Sequence, residues 1–275
     1  MSGVPNWSVL AISYAGVFGL LIGSFLNVVV YRVPAGKSLM PSSRCPNCDA
    51  AIRPWQNIPV LSWLLLRGRC ANCGTRISLR YPLVEAGTAL AFAGVTWWWL
   101  SRWDALDTIA WILLLVAYLL LAAVSIALAL IDLDTFRLPN VIVLPSTLAF
   151  FMLLAAATAF GANGSALLRA AIGAAALSLI YALLRFLWRG GMGLGDVKLA
   201  LLLGAAMAWV GWGAFAVGAF AAFVFGGIFG VGLVLAKRAN GKSSVPFGPW
   251  MILGAWAGLI AGEAVAEWYL STFLG

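Results

Sequence analysis

The sequence predicts an all-α polytopic membrane protein with about eight transmembrane helices and a small cytoplasmic zinc-ribbon-like domain between spans one and two. Three observations lead to this fold class. Of the 275 residues, 63% are hydrophobic and 9% are charged, a composition outside the range of soluble globular domains. Several apolar runs reach the roughly 20 residues that a helix needs to cross a bilayer, and none alternates like a barrel strand. One hydrophilic stretch contains all four cysteines.

Hydropathy predicts eight spans, at about 8–30, 83–100, 108–131, 141–160, 166–188, 197–214, 216–236 and 249–270. The first run is too long for the core of a signal peptide and has no basic leading end, so it is interpreted as a retained span. Spans six and seven are separated only by Gly211, Trp212 and Gly213. A seven-span or re-entrant arrangement therefore stays open.

The basic residues predict the orientation, because cytoplasmic loops of membrane proteins are enriched in Lys and Arg. With the segment 31–81 in the cytoplasm, every second connection is basic, and both termini lie on the outer side of the membrane. The net charge of +8 is spread over short connections rather than gathered in one stripe, which argues against a nucleic-acid partner. The basic residues on the predicted cytoplasmic side are Arg32, Lys37, Arg44, Arg53, Arg67, Arg69, Arg76, Arg80, Arg137, Arg189, Lys198, Lys237, Arg238 and Lys242.

The cysteines form two C-x2-C pairs separated by 21 residues, Cys45 with Cys48 and Cys70 with Cys73. This spacing is typical of a zinc ribbon, in which four thiolates complete a tetrahedral shell around Zn²⁺. The alternative is two structural disulfides, which a cytoplasmic location disfavours because the compartment is reducing. A closed four-ligand shell predicts a structural metal that folds the segment and does not activate water.

Three carboxylates occur at the predicted cytoplasmic ends of spans. Asp132 and Asp134 follow span three, and Asp196 precedes span six in the sequence GMGLGDVK. Two nearby carboxylates do not easily both ionise, so one keeps a proton while the other serves as general base, as in aspartic proteases. Gly193 and Gly195 leave backbone exposed beside Asp196, where an extended substrate strand can approach. The alternatives are that Asp196 caps a helix and that Asp132 and Asp134 are solvated interfacial charges.

These motifs together resemble the type IV prepilin peptidase family. The resemblance begins with GSFLNVVVYRVP at 23–34 and continues through the cysteine pairs with WQNIP at 55–59, SWL at 62–64, RGRC at 67–70 and ISLRYP at 77–82. It extends through Glu85 and the Asp132 motif to the G-x-G-D of 193–196. The motifs occur in the order of the family and cover most of the chain, although G-x-G-D alone is a weak signal.

The resemblance implies a bifunctional enzyme acting on prepilins or type II secretion pseudopilins. Its peptidase part removes a short basic leader after a glycine, and its cytoplasmic part methylates the new N-terminal amine with S-adenosylmethionine. The implied domains are a first helix at 1–30, a cysteine domain at 31–82 and a peptidase domain at 83–275. The positions associated with methyl transfer are Arg67, Gly68, Arg69 and Glu85. Alternatively, the cysteine domain only braces the peptidase or recruits its substrate.

The resemblance also favours Asp132 over Asp134 as the partner of Asp196. Shorter members of the group have D-L-x-x-x-x-I-P, whose single aspartate aligns with Asp132, and Asp134 then tunes its proton affinity. Two alternative functions stay open. An ion- or proton-coupled transporter predicts inverted repeats and carboxylates near the midplane, neither of which the sequence contains. A non-enzymatic zinc-ribbon assembly protein is the second alternative.

Overall fold

The computed structural model describes residues 6–40, 43–102, 106–187, 192–236 and 246–273, which divide into two compact units, Met1–Asp104 and Ala105–Gly275. Its described part is helical, with no strand beyond two isolated β-bridges. This confirms the predicted fold class. The topology signals Arg189, Lys237, Arg238 and Lys242 lie outside the described residues.

The first unit pairs two long helices. Residues 33–79, which we call the cysteine segment, lie between these helices in the sequence. Helix α1 is Asn6–Arg32, a 3-10 turn is Pro54–Asn57, α2 is Leu61–Leu65 and α3 is Arg80–Leu100. Glycines permit close packing of α1 on α3: a methyl group at Gly19 would lie 2.8 Å from the Cα of Ala89, and one at Gly23 would lie 2.7 Å from the Cα of Glu85. The Asn27 amide also donates to the Tyr81 carbonyl at 3.1 Å.

The second unit is a helical bundle of α4 (Thr108–Thr135), α5 (Asn140–Ala159), α6 (Gly164–Leu187), α7 (Leu194–Val210), α8 (Trp212–Leu235) and α9 (Gly248–Phe273). Helix α7 is its centre, since it packs against α5, α6, α8 and α9. The residues 199–209 are almost all buried. Asp196 is therefore on the most enclosed helix of the bundle.

Helices α7 and α8 are separate elements that meet at Gly211, in agreement with the predicted turn. Arg169 of α6 satisfies the end of α7 by donating to the carbonyls of Ala208, Trp209 and Val210. The carboxylate of Glu263 satisfies the start of α8, where it accepts the N–H of Ala214 at 3.0 Å. Two side chains of opposite charge thus cap the helix ends that the break exposes.

Six helices of the described residues are long and apolar enough to span a membrane: α1 from Trp7, α4, α5, α6, α8 and α9. The predicted count of eight also includes the other two long helices of the described residues, α3 and α7. Helix α3 has 21 residues but carries Arg80 and Glu85 in its first two turns. Helix α7 has 17 residues, about 26 Å of helix, which is short of the hydrocarbon thickness of about 30 Å.

Two helix boundaries differ from the predicted spans in a way that bears on the carboxylates. Helix α4 continues to Thr135, so Asp132 and Asp134 lie in its last turns instead of after it. Helix α7 starts at Leu194, so Asp196 lies in its first turn. Hydropathy marks where apolar residues stop, whereas backbone hydrogen bonding continues into the polar ends of both helices.

Candidate active site and cysteine centre

Asp132 is a buried carboxylate near the end of α4, with 5% of its surface exposed. Helix α4 ends when Phe136 adopts a left-handed conformation with φ of 54° and donates its N–H to the Asp132 carbonyl. The side chain of Asp132 points to the start of α9, where the backbone N–H of Gly248 donates to Oδ2 at 3.0 Å. The first turn of a second helix therefore fixes this carboxylate.

Asp196 is held in a parallel manner at the start of α7, with 8% of its surface exposed. The N–H of Gly193 donates to its Oδ2 at 2.8 Å, which closes the loop that carries the G-x-G-D motif. Arg185 of α6 supports the same loop by donating to the Met192 carbonyl at 2.5 Å, and its charge interacts with Asp196. Gly193 is the N-cap residue, and Asp196 is three residues further on.

Asp132 and Asp196 lie close enough for the charge of Asp132 to act on Asp196. The side chain of Leu138 links their surroundings. A methyl group at Gly195 would lie 2.8 Å from the Leu138 Cβ, and one at Gly248 would lie 3.4 Å from the Leu138 Cδ2. Within the described part of the chain, no protein group donates a hydrogen bond to Oδ1 of either aspartate. Each Oδ1 is therefore available for a proton or a water molecule.

The remaining predicted residues of this site have different surroundings. Asp134 is exposed on the surface of α4, in contrast to Asp132. Gly195 has no room for a side chain because Leu138 packs against it, and a methyl group on Gly193 would lie 3.2 Å from the Asp196 Oδ2. Packing alone therefore accounts for a glycine at each of these two positions, whether or not substrate approaches them. At the rim, Lys198 donates to the Asn140 side chain at 2.8 Å.

Sequence reasoning missed the residues at the start of α9. Gly248 supplies the hydrogen bond to Asp132, and Phe247 packs its ring on Tyr181 and Phe223 at centroid distances of 6.1 and 5.6 Å. None of these residues carries charge or belongs to a recognised motif. A signal was present, since Gly248 and Pro249 precede an apolar run and proline is favoured in the first turn of a helix.

The four cysteines come together as predicted, with all four Sγ atoms within 4.8 Å of one another. All four are free thiols without a disulfide. A tetrahedral Zn²⁺ with Zn–S bonds of about 2.3 Å requires Sγ atoms about 3.8 Å apart. The Cys45 and Cys73 Sγ atoms are 3.8 Å apart. The cluster could therefore bind a metal ion, and its donor set fits zinc.

Polar side chains around the cluster hydrogen-bond to its sulfur atoms and favour the thiolate form of Cys73. Each C-x2-C pair has an asparagine that donates to a cysteine of the other pair: Asn47 to Cys73 and Asn72 to Cys48, both at 3.6 Å. The Thr75 hydroxyl lies 3.4 Å from the Cys73 Sγ and is the main cause that lowers the pKa of Cys73 to about 5. Thiolate is the form that binds metal, so these groups prepare the site.

The four positions associated with methyl transfer have different surroundings. Glu85 is buried, and its Oε2 accepts the N–H of Val60 at 2.7 Å. Gly68 has a φ of 65°, and a methyl group there would lie 2.7 Å from the Trp63 ring. Arg67 and Arg69 are exposed. Glu85 and Gly68 thus each contact the stretch between the two cysteine pairs, at Val60 and Trp63 respectively.

Comparisons with known proteins cover most of the chain. The Bacterial Peptidase A24 N-terminal domain matches residues 17–99, and the Type IV leader peptidase family matches residues 119–231. A protein of Aeromonas hydrophila named prepilin leader peptidase/N-methyltransferase is 36% identical, covering 99% of this chain and 97% of its own length. Proteins of the same name from Pseudomonas aeruginosa and Neisseria gonorrhoeae are 36% and 35% identical, covering 92% and 98% of this chain and 91% and 99% of their own lengths. No solved structure matches.

Proposed function

This chain belongs to the type IV leader peptidase family, and we propose that it cleaves the leader peptides of prepilins or pseudopilins with Asp132 and Asp196 as its acid–base pair. The observation that carries the proposal is that two buried aspartates, on helices distant in the sequence, lie close enough for their charges to interact. Each has one oxygen fixed by a backbone N–H. Interfacial carboxylates without function are normally solvated.

The proposed reaction follows the chemistry of an aspartic protease. The ionised aspartate takes a proton from a water molecule, which attacks the scissile carbonyl carbon. The protonated aspartate gives its proton to the carbonyl oxygen, so that a neutral tetrahedral intermediate forms. The C–N bond then breaks as the first aspartate gives its proton to the leaving amine, while the second aspartate, now ionised, takes a proton from a hydroxyl of the intermediate. The products are a carboxylic acid and a free amine, and both aspartates return to their starting states. The fixed Oδ2 atoms orient both carboxylates, and the Oδ1 atoms do the proton transfer.

The substrate assignment rests on the family and on charge. The relatives are named prepilin leader peptidases, so the substrate class is a prepilin. We propose that the leader is short and basic and that cleavage follows a glycine. The extended backbone of Gly193, with φ of −77° and ψ of 153°, suits a strand-like approach of the peptide. Asp134 on the exposed surface is suited to influence the site without joining the chemistry.

For the cysteine cluster, we propose one structural Zn²⁺ held by Cys45, Cys48, Cys70 and Cys73. When bound, the ion joins the two halves of a segment that has too few apolar residues to fold around a core of its own. The Sγ spacing and the two crossing asparagines support this assignment. Because all four positions of the shell are protein ligands, this ion takes no part in peptide cleavage.

The relatives' second name, N-methyltransferase, suggests methylation of the newly formed N-terminus with S-adenosylmethionine. We propose that residues 31–82 take part in this step and that Arg67, Gly68, Arg69 and Glu85 are its associated positions. No step is assigned to a single residue. The proposed division into 1–30, 31–82 and 83–275 is a division by function. It differs from the division into compact units, whose boundary is near residue 104.

The chain is a multi-pass membrane protein, and we propose the bacterial inner membrane as its location, with both sites facing the cytoplasm. The proposed orientation has both termini outside and places the basic segment 31–81 where prepilins are made. The proposal includes no nucleic-acid partner. The transporter alternative is not favoured, because the paired aspartates lie at the ends of α4 and α7 instead of at mid-helix.

The function is tested with detergent-purified protein and a synthetic prepilin peptide that contains a basic leader, a glycine and an apolar segment. Mass spectrometry of the products should show a single cut after the glycine, with a methylated product only when S-adenosylmethionine is added. A peptide with the glycine replaced by a bulky residue is the matched control substrate. An intact peptide after prolonged incubation with folded, metal-loaded protein would refute the peptidase assignment.

A further inference from the structure

The cysteine segment has an outward-facing apolar surface, which we call the leucine surface, formed by Trp55, Ile58, Leu61, Leu64 and Leu65. These side chains are between 45% and 79% exposed, with Leu65 the most exposed. They occur within one short stretch that includes the 3-10 turn and α2. Contiguous exposed apolar patches of this kind mark interaction sites for proteins or membranes.

The inner side of α2 is more polar than its outer side. Ser62 is buried and its hydroxyl donates to the Ile58 carbonyl at 2.5 Å. Trp63 donates its indole N–H to the Ile77 carbonyl at 3.2 Å and packs over Gly68. Leu61, Leu64 and Leu65, in contrast, are exposed on the outer side of α2. This is the reverse of the pattern of a soluble domain, and it indicates that the outer surroundings of α2 are apolar.

The position of α2 along the helix pair indicates which apolar surroundings these are. The N–H of Val60, immediately before α2, donates to Glu85, which lies five residues into α3, about 7 Å along its axis. Glu85 in turn packs at the level of Gly23, nine residues before the end of α1. The membrane-capable part of α1 has 26 residues, about 39 Å, and exceeds the hydrocarbon core by only about 9 Å. Gly23 lies about 14 Å before the end of α1, so residue 60 is about 5 Å inside the hydrocarbon edge even when all of this excess projects on its side.

The charges beside the leucine surface agree with a bilayer. The guanidinium of Arg53 lies over the Trp55 ring at 5.4 Å, and Arg67 and Arg69 follow α2. Residues 53–69 contain no Asp or Glu. Tryptophan and arginine together are typical of membrane interfaces, where the ring enters the headgroup region and the cation pairs with lipid phosphate.

We propose that the leucine surface inserts into the headgroup and upper acyl region of an anionic phospholipid bilayer, so that the cysteine segment lies on the membrane and not free above it. The segment is then fixed at three places: by its connections to α1 and α3, by the Glu85 contact and by the lipid. This fixes the height of the cysteine cluster over the bilayer. The inference does not depend on the peptidase chemistry.

Photo-crosslinking of the full chain in nanodiscs of phosphatidylglycerol tests the proposal. Leu65→p-benzoylphenylalanine should give, on irradiation, peptides whose mass is increased by one phospholipid. The matched control is Ala71→p-benzoylphenylalanine, an exposed position on the second cysteine pair, which should give at least tenfold less lipid adduct. Leu64 is a second labelling position in case the Leu65 variant fails to fold, and metal content reports folding of the segment for every variant.

Four outcomes overturn the proposal. Adducts between Leu65 and a peptide of residues 106–273 would mean that the other unit of the same chain covers the leucine surface. Adducts between two copies of the chain would make the surface a dimer contact. Equal lipid labelling at positions 65 and 71, or none at 64 and 65, would show that the surface is not inserted.

Discussion

The contact between Gly248 and Asp132 predicts that Gly248→Ala impairs catalysis without removing a titratable group. The added methyl carbon would lie 2.7 Å from the Asp132 Oδ2, closer than carbon and oxygen approach without bonding, and 3.4 Å from the Leu138 Cδ2. Either the carboxylate rotates away or the start of α9 moves. In both cases the hydrogen bond from the Gly248 N–H to Asp132 is lost or lengthened.

The expected size of the effect follows from that hydrogen bond. A hydrogen bond to a charged group contributes about 1.5–3 kcal/mol, and each 1.36 kcal/mol in the barrier is tenfold in rate. Gly248→Ala should therefore lower kcat/KM for a prepilin peptide about 10- to 150-fold. The assay is product formation by detergent-purified protein, followed by mass spectrometry over several substrate concentrations.

Gly230→Ala is the matched control, because it makes the same substitution in α8 at a position where nothing lies within 4 Å of the new methyl group. It should retain full activity. Thermal unfolding of both variants separates a local effect from misfolding. If Gly248→Ala cleaves as fast as Gly230→Ala at equal stability, the N-terminus of α9 does not position Asp132.

The remaining predictions concern the cysteine segment and the second aspartate of the D-L-D motif. Cys45→Ser should lower the zinc content from one ion per chain to near zero, measured by mass spectrometry of metals; zinc-free wild-type protein would contradict the site. Deletion of residues 45–73 should abolish methylation while cleavage persists, and methylated product from this variant would exclude the segment from methyl transfer. Asp134→Asn should change kcat/KM by less than tenfold, because its carboxylate is exposed and solvent screens its charge.

Hydropathy and spacing predicted the elements of this fold because crossing a bilayer and bringing four thiols together impose strong local constraints. The eight long helices among the described residues follow the apolar runs, since backbone groups in lipid must be satisfied within the helix. The two C-x2-C pairs predicted the cluster, because only a short range of spacings lets four thiols converge. Both kinds of signal depend on residue type and position in the chain alone.

The contacts that support the aspartates depend on packing between distant helices, which a single sequence does not specify. Leu138 and Gly248 are ordinary apolar and small residues whose importance arises from being beside Gly195 and Asp132. Arg185 was absent from the predicted site because its role is to hold the Met192 carbonyl, a backbone contact without a motif. The paired asparagines of the cysteine cluster were visible in the sequence, but their crossing geometry was not.

The central claim, that Asp132 and Asp196 act as one unit, is tested most directly by cleavage kinetics of Asp132→Asn, Asp196→Asn and the double variant. Asparagine keeps the size of the side chain but cannot exchange the proton. Each single variant should lose several orders of magnitude in kcat, and the double variant should lose little more, because groups acting together are non-additive. Zinc content and thermal stability equal to wild type would exclude misfolding. Near-normal cleavage by folded Asp196→Asn, or loss in Asp134→Asn with activity kept in Asp132→Asn, would contradict the assignment.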